Sequence, residues 1–252
     1  MAGYGDFAYF YDEFNGAADY DALHDFLLSR LRQNRLPGSI VADLGCGTGE
    51  LTLRLAQDGY DMIAVDGSAE MLSMLSEKLQ ENAPEHPVLL LQQDLCALDL
   101  YGTIHAAVCT FDTLNHLGDA AAMARAIARV GLFMEKDGLF LFDVNTPYKH
   151  REVLGNETFV LEDEDAVCTW KNELQEDRQR TRISIAITYE GDPEPCRETF
   201  YEYYCAPQQL TEFCEKSGFR VLEIVDGERF CAPQPTSQRL LFVAKKEIQC
   251  QS

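Results

Sequence analysis

The chain has 252 residues, 46% of them hydrophobic, and a formal net charge of −21 with a pI near 4.5. That length and apolar share bury one sizeable core, so one domain carrying an insertion is expected rather than two domains. Gripping nucleic acid or an anionic membrane needs basic patches that neutralise phosphate, and the densest basic stretch, Arg178-Gln179-Arg180-Thr181-Arg182, sits in an acidic neighbourhood. No apolar run approaches a bilayer span, and the start at Met1 does not read as a signal peptide. Nine cysteines, an odd number with no Cys-x-x-Cys pair, point to a reduced cytoplasm and away from a disulfide framework or a zinc site.

In chain order, Asp19 to Gln33 reads as an amphipathic helix, with Leu23, Phe26, Leu27 and Leu31 at helical spacing. Val41-Ala42-Asp43-Leu44 is an apolar strand, followed by alternating Gly45, Gly47 and Gly49 and then a helical pattern. This is a strand, a tight turn and a helix, with backbone brought close enough to touch a ligand. A dinucleotide fingerprint wants its third glycine five residues after the first; that position is Glu50. A second strand closes at Asp66, and Ser68 caps the next helix, whose apolar stripe is Met71, Leu72, Leu75 and Leu79. Further strands close at Asp94 and Asp112. A helix from Ala120 to Met134, a turn at Glu135-Lys136-Asp137-Gly138 and a strand from Leu139 to Val144 follow. Alternating strands and helices give a parallel sheet.

From Asn156 to Tyr204 the period becomes two, with turn signals at Glu162–Asp165 and Gly191–Pro195. We expect a three- or four-stranded antiparallel insertion here. A helix from Pro207 to Ser217, stopped by Gly218, and strands Phe219–Val225 and Arg239–Lys245 then complete the sheet.

Asp43, Asp66, Asp94 and Asp112 stand where successive strands end, and open α/β sheets bind ligands outside those ends. A rim of carboxylates repels a pyrophosphate and attracts a cation. S-adenosylmethionine has that polarity, with a sulfonium, an ammonium, a ribose diol and an adenine amine. The motifs Asp43-Leu44-Gly45-Cys46-Gly47-Thr48-Gly49, Val65-Asp66-Gly67-Ser68 and Gln93-Asp94-Leu95 occur in register. Through them the chain resembles the class I S-adenosylmethionine-dependent methyltransferases, over Ile40 to about Val144 and again from roughly Pro207 to Lys245. The lead-in Phe10-Tyr11-Asp12-Glu13-Phe14 is similar to that of small bacterial methyltransferases with unassigned substrates.

The resemblance implies an α/β, Rossmann-like doubly wound, mostly parallel seven-stranded sheet with helices on both faces. It divides the chain into an amino-terminal helical cap (1–38), a core (39–145 and 206–252) and an antiparallel β lid after the fifth strand (146–205). It implies that Gly45 and Gly47 pass close to the methionine part of S-adenosylmethionine, that Asp66 takes the ribose hydroxyls and that Asp94 takes the adenine amine. Met71 and Leu95 would cover the adenine, although Met71 reads equally as helix core. Asp43 would act through water, and Cys46, Gly67 and Thr110 complete the cofactor set. Catalytic candidates are Tyr11, Asn115 and His116. Substrate candidates are Tyr11, Thr146, Tyr148, Trp170 and Tyr203, the strand aromatics serving equally as packing. No metal is expected.

Methyl transfer is an in-line displacement, so the protein mainly orients the reactants, worth on the order of 7–11 kcal/mol. A base is needed only for a protonated or poorly acidic acceptor. The expected partner is a small-molecule methyl acceptor at nitrogen, oxygen or carbon, with nucleic acid disfavoured, and the protein is expected to be a monomer or homodimer. The alternatives are a catalytically silent binding module and, against the glycine spacing, a dinucleotide-dependent oxidoreductase.

Overall fold

The computed structural model describes residues 19–34, 38–82, 84–162, 166–191 and 194–247. Helix α1 (Tyr20–Asn34) buries Leu23, Phe26, Leu27, Leu28 and Leu31 along one stripe. Strand β1 (Ile40–Leu44), helix α2 (Glu50–Gln57), strand β2 (Asp61–Asp66), helix α3 (Ala69–Asn82) and strand β3 (Val88–Gln92) then alternate. Strand β4 (Ile104–Cys109), helix α4 (Ala120–Phe133) and strand β5 (Met134–Asn145) continue the pattern. After the insertion come α5 (Pro207–Lys216), β10 (Phe219–Asp226) and β11 (Arg239–Lys246).

These strands form a seven-stranded sheet in the order β10-β11-β5-β4-β1-β2-β3. Only β11 runs against its neighbours; β1, β2, β3, β4 and β5 pair in parallel. Strand β5 is apolar without alternation because both of its faces are covered. Phe140 and Phe142 pack in one cluster with α4, while Leu139 and Leu141 pack in a second with α1 and α2. The chain steps outward from β1 to β3, then returns to place β4 on the other side of β1. The carboxyl ends of β1 and β4 therefore flank the topological switch point, where such sheets hold ligands.

The turn expected at Glu135–Gly138 lies inside β5 as an irregularity. Ile104 pairs with Met134 and Ala106 with Leu139, so the β5 strand carries extra residues there. Asp137 is left-handed (φ 66°), and a Cβ at Gly138 would meet the His105 carbonyl at 2.8 Å.

The insertion is a separate antiparallel sheet of β6 (Thr158–Glu162), β7 (Ala166–Gln175), β8 (Arg180–Tyr189) and β9 (Cys196–Tyr203), in that order. Its period-two pattern buries Ile183, Ile185 and Ile187 against Cys168, with Trp170 and Phe200 packed alongside. A π-helical turn, Lys149–Leu154, joins β5 to this sheet. Among the described residues, no helix is long and apolar enough to cross a membrane.

Candidate active site

The loop from Gly45 to Gly49 crosses the end of β1. Gly45, Gly47 and Gly49 have φ of 73°, 53° and 83°, a region costing other residues roughly 1–2 kcal/mol. A Cβ at Gly45 would lie 2.3 Å from the Thr113 side chain, and one at Gly49 would lie 2.1 Å from Leu75. Those two glycines are thus required by close packing as well as by backbone conformation. The Gly47 N–H donates to Asp66 Oδ2 (2.9 Å) and the Ser68 N–H to Asp66 Oδ1 (2.8 Å). Asp66 therefore fixes the glycine loop, while both oxygens retain lone pairs for a ligand. Its carboxylate lines a narrow cleft with Gly45, Gly47, Gly67, Met71 and Leu95. Burial raises its pKa, against the three backbone N–H groups of Ser68, Gly47 and Gly67.

Ser68 Oγ accepts the Met71 N–H (3.2 Å), which starts α3 so that buried Met71 lines the cleft, as does buried Leu95. A carboxylate lining one cleft with Met71 and Leu95 suits a ribose diol and a flat base. The residues present therefore fit S-adenosylmethionine.

The loop after β4 is strained. Phe111 and Asp112, consecutive and neither of them glycine, have φ of 54° and 52°. Asp143, at the end of β5 and 1% exposed, holds them there. Its Oδ2 accepts the Phe111 N–H (2.9 Å) and its Oδ1 the Asp112 N–H (2.7 Å). Burial lifts the Asp143 pKa, with Arg239 opposing. The turn aims the Asp112 carboxylate at Arg239 Nη2 (3.0 Å) and His116 Nε2 (3.4 Å). Burial disfavours an ionised Asp112, but His116, Arg239 and Lys149 outweigh it and hold the carboxyl well below its usual range. Burial likewise opposes an imidazolium at His116, yet Asp112 and Glu202 raise its pKa above the ordinary value.

Ligand atoms of Asp112, His116 and Glu202 lie within 4.8 Å of one another, a group of the kind that could hold a metal ion. Asp112 Oδ1 already binds the Arg239 guanidinium and Glu202 Oε2 accepts the Asn145 amide (3.1 Å). The same three side chains, with Arg239 and Asn145, form a network of charges and hydrogen bonds.

A larger cavity of about 680 Å³ opens between the core and the lid edge. Asp94, Cys96, His116 and Leu117 form its core side, and Phe200 and Tyr203 part of its lid side. His116 and Leu117 also line the cofactor cleft, so the two spaces meet at these residues.

The other expected site residues divide. Asp94 is exposed, caps a short 3₁₀ turn through the Cys96 N–H (2.9 Å) and faces the larger cavity rather than the narrow cleft. Asp43 is buried and not on the cleft wall; its Oδ2 accepts the Thr52 hydroxyl (2.5 Å). Burial pushes its carboxyl up to about 7, with Asp66 adding to the effect. Cys46 packs beside Leu53 and Leu75, and burial pushes its thiol far up. Thr110 is buried, and its carbonyl accepts the Thr113 hydroxyl (2.9 Å).

Asn115, expected near the chemistry, is instead a wholly buried tie between three segments. Its amide donates to the carbonyls of Tyr203 (2.8 Å) and Asn145 (3.3 Å), and its Oδ1 accepts the Asn145 N–H (2.9 Å). No polar atom is left for a substrate. Thr146 donates to the Ser237 carbonyl (2.8 Å) and accepts the Lys149 N–H (3.1 Å), so it caps the π-helical turn. Tyr148 is half-buried at the start of that turn. Trp170 lies two strands from the lid edge, donating to Asn172 Oδ1 (2.8 Å) and packing edge-on against Phe200. Tyr203 does line the larger cavity. Tyr11 lies outside the described residues.

Sequence reasoning missed Asp143, Arg239 and Glu202. Asp143 could have been found, because it closes the fifth strand as Asp43 and Asp66 close theirs; the other two come from β11 and β9 with no local signal.

Residues 41–131 match the family described as a methyltransferase domain. A protein of Geobacillus sp. (strain WCH70), named only as a candidate methyltransferase, is 32% identical over 96% of this chain and 99% of its own length. The crystal structure of an S-adenosylmethionine-dependent methyltransferase from Clostridium acetobutylicum ATCC 824 superposes with a TM-score of 0.86, at 25% identity, over 97% of this chain and 99% of that one. An amino pentose methyltransferase from Micromonospora echinaspora, solved with S-adenosylmethionine bound, shares the fold with a TM-score of 0.71 at 19% identity, over 94% and 96% of the two chains. Carried by glycine loop, strand-end carboxylates, sheet order and a relative matched almost end to end, the assignment is firm: the chain belongs to the S-adenosylmethionine-dependent methyltransferases.

Proposed function

We propose that the protein methylates a small-molecule acceptor held in the cavity between core and lid, at nitrogen, oxygen or carbon. The observation that carries this reading is that His116 and Leu117 line both that cavity and the cofactor cleft. Its volume, about 680 Å³, lies within the range of small-molecule sites. Structural neighbours are described as an amino pentose methyltransferase and a sugar N-methyltransferase, which supports the same class of acceptor.

When bound, S-adenosylmethionine supplies a methyl group already activated by its sulfonium. The chain's own part is to orient and desolvate. Asp66 would bind the ribose diol, Asp94 the adenine amine at the edge of the larger cavity, and Met71 and Leu95 the adenine faces. The strained turn at Phe111 and Asp112 sets His116 at the junction. An amine or hydroxyl acceptor sheds a proton on methylation, and His116, oriented by Asp112, is the group placed to receive it. Because its pKa is raised, turnover should climb as pH passes above about 6.5, the ordinary histidine value.

The cofactor cleft and the larger cavity are both lined by one chain, so a monomer or homodimer would suffice. The eight described cysteines are free, in keeping with a cytoplasmic protein. A metabolite screen with methyl-labelled donor tests the function. Transfer to a small molecule, lost in His116→Ala and, in His116→Gln, greatly slowed and without the rise above about pH 6.5, is the expected result. Cofactor binding without transfer to any acceptor would favour a silent module.

A further inference from the structure

Resting on that reading of the cavity, we propose that the acceptor carries an oxyacid group, a carboxylate or a phosphate, bound between Arg125 and Arg197 at the cavity mouth. The argument begins with how this chain treats its arginines. Ten of the thirteen among the described residues have a carboxylate oxygen within 4.0 Å. With twice as many acidic as basic residues, 42 against 21, that is the arrangement to expect. The three without one are Arg125, Arg180 and Arg197, and all three belong to the same place.

Arg125 comes from α4 in the core and Arg197 from β9 at the lid edge, and both line the cavity. Arg180 stacks on Tyr201 (4.0 Å to the ring centroid) and donates to the Tyr203 hydroxyl (3.0 Å), and both tyrosines line the cavity. It thereby stiffens the aromatic wall beside Arg125, which also contacts Cys96, and Arg197. Asp94 and Glu198 line the cavity as well; on β9, Glu198 and Phe200 lie on one face and Arg197, Tyr201 and Tyr203 on the other. On a strongly acidic molecule, this wall thus holds two guanidinium groups with no carboxylate of the described residues within 4.0 Å. Guanidinium is suited to bidentate capture of carboxylate or phosphate. One arginine from the core and one from the lid would let such a group draw the two sides of the cavity together. Tyr201 and Tyr203, on the same face of β9 as Arg197, offer the adjoining flat surface, which fits an oxyacid attached to a ring or an apolar chain.

The test titrates wild-type protein, with and without S-adenosylhomocysteine, with 1-naphthoate, naphthyl phosphate and the neutral 1-naphthamide. We expect either acid to bind at least tenfold more tightly than the amide, and the tighter of the two to identify the oxyacid. R125Q/R197Q should erase that preference, R125K/R197K should keep part of it, and affinity for S-adenosylhomocysteine should stay within twofold in both variants. Equal binding of acids and amide, no binding of either acid, or a preference that survives R125Q/R197Q would overturn the proposal. Because the acids are also titrated without S-adenosylhomocysteine, its failure to bind would count against the cofactor reading alone.

Discussion

Asp66 shows how one side chain serves structure and ligand together. It closes β2, accepts one backbone N–H on each oxygen and still faces the cleft. Hydrogen bonds to a charged partner contribute about 1.5–3 kcal/mol, so Asp66→Ala should weaken S-adenosylhomocysteine binding by roughly ten- to a hundredfold. Asp177→Ala, an exposed lid carboxylate, should leave it unchanged in the same calorimetric titration. Asp43 makes a different prediction. Burial lifts its folded-state carboxyl to about 7, far above the unfolded 3.8. A raised carboxyl pKa adds stability that is full below pH 3.8 and lost as pH rises through 7. Asp43→Asn, which can still accept the Thr52 hydroxyl, should therefore gain stability over wild type as pH goes from 5 to 8, on the order of 2 kcal/mol. Melting curves across that range check it, and a constant difference would sink the idea. The strand-end positions of these two were legible because each lies in a short motif that a strand end and a turn already explain, but the bond of Asp43 to Thr52 in α2 was not. Asn115 was not, because its role is set by Asn145 and Tyr203, thirty and more positions away.

At the level of elements, the turn after β4 depends on a clamp from β5. Two non-glycine residues are held left-handed by the Asp143 carboxylate, and such positions persist only where the surroundings over-determine them. Asp143→Ala would leave two part-buried N–H groups and the nearby Arg239 without that carboxylate. We expect a loss of roughly 3 kcal/mol or more, read by denaturant unfolding, together with weaker S-adenosylhomocysteine binding as Thr113 and His116 shift at the cleft wall. Unchanged stability would show that the turn holds itself. The element boundaries were readable wherever a cap or stop was local, as with Ser68 and Gly218. The expected turn at 135–138 became a bulge within β5 because pairing with β4 continues on both sides of it, a constraint carried by another strand.

The whole molecule is a seven-stranded core and a four-stranded second sheet, the proposed lid, stitched together by buried polar contacts. Asn115 bonds the Tyr203 carbonyl and Asn145 bonds Glu202, while within the insertion His150 Nδ1 meets the Thr181 hydroxyl at 2.8 Å. The period-two pattern made the lid legible as a sheet, but these stitches join residues far apart in sequence and had no signature. Replacing residues 158–203 with a short linker should therefore strand three buried polar groups, each costing about 1–3 kcal/mol. That implies a melting point lower by roughly 10 °C or more. Cofactor affinity should nevertheless stay within about threefold, since Gly45, Gly47, Asp66, Met71 and Leu95 all lie in the core. A folded variant that no longer binds would make the lid part of the cofactor site. The central claim is that the cleft beneath the glycine loop binds S-adenosylmethionine through Asp66, and calorimetry on the wild-type protein and Asp66→Ala tests it most directly. The account predicts saturable heat from S-adenosylmethionine and S-adenosylhomocysteine, none from NAD, and a loss of at least tenfold in the variant. Equal heat from NAD, or equal affinity in the two proteins, would contradict it.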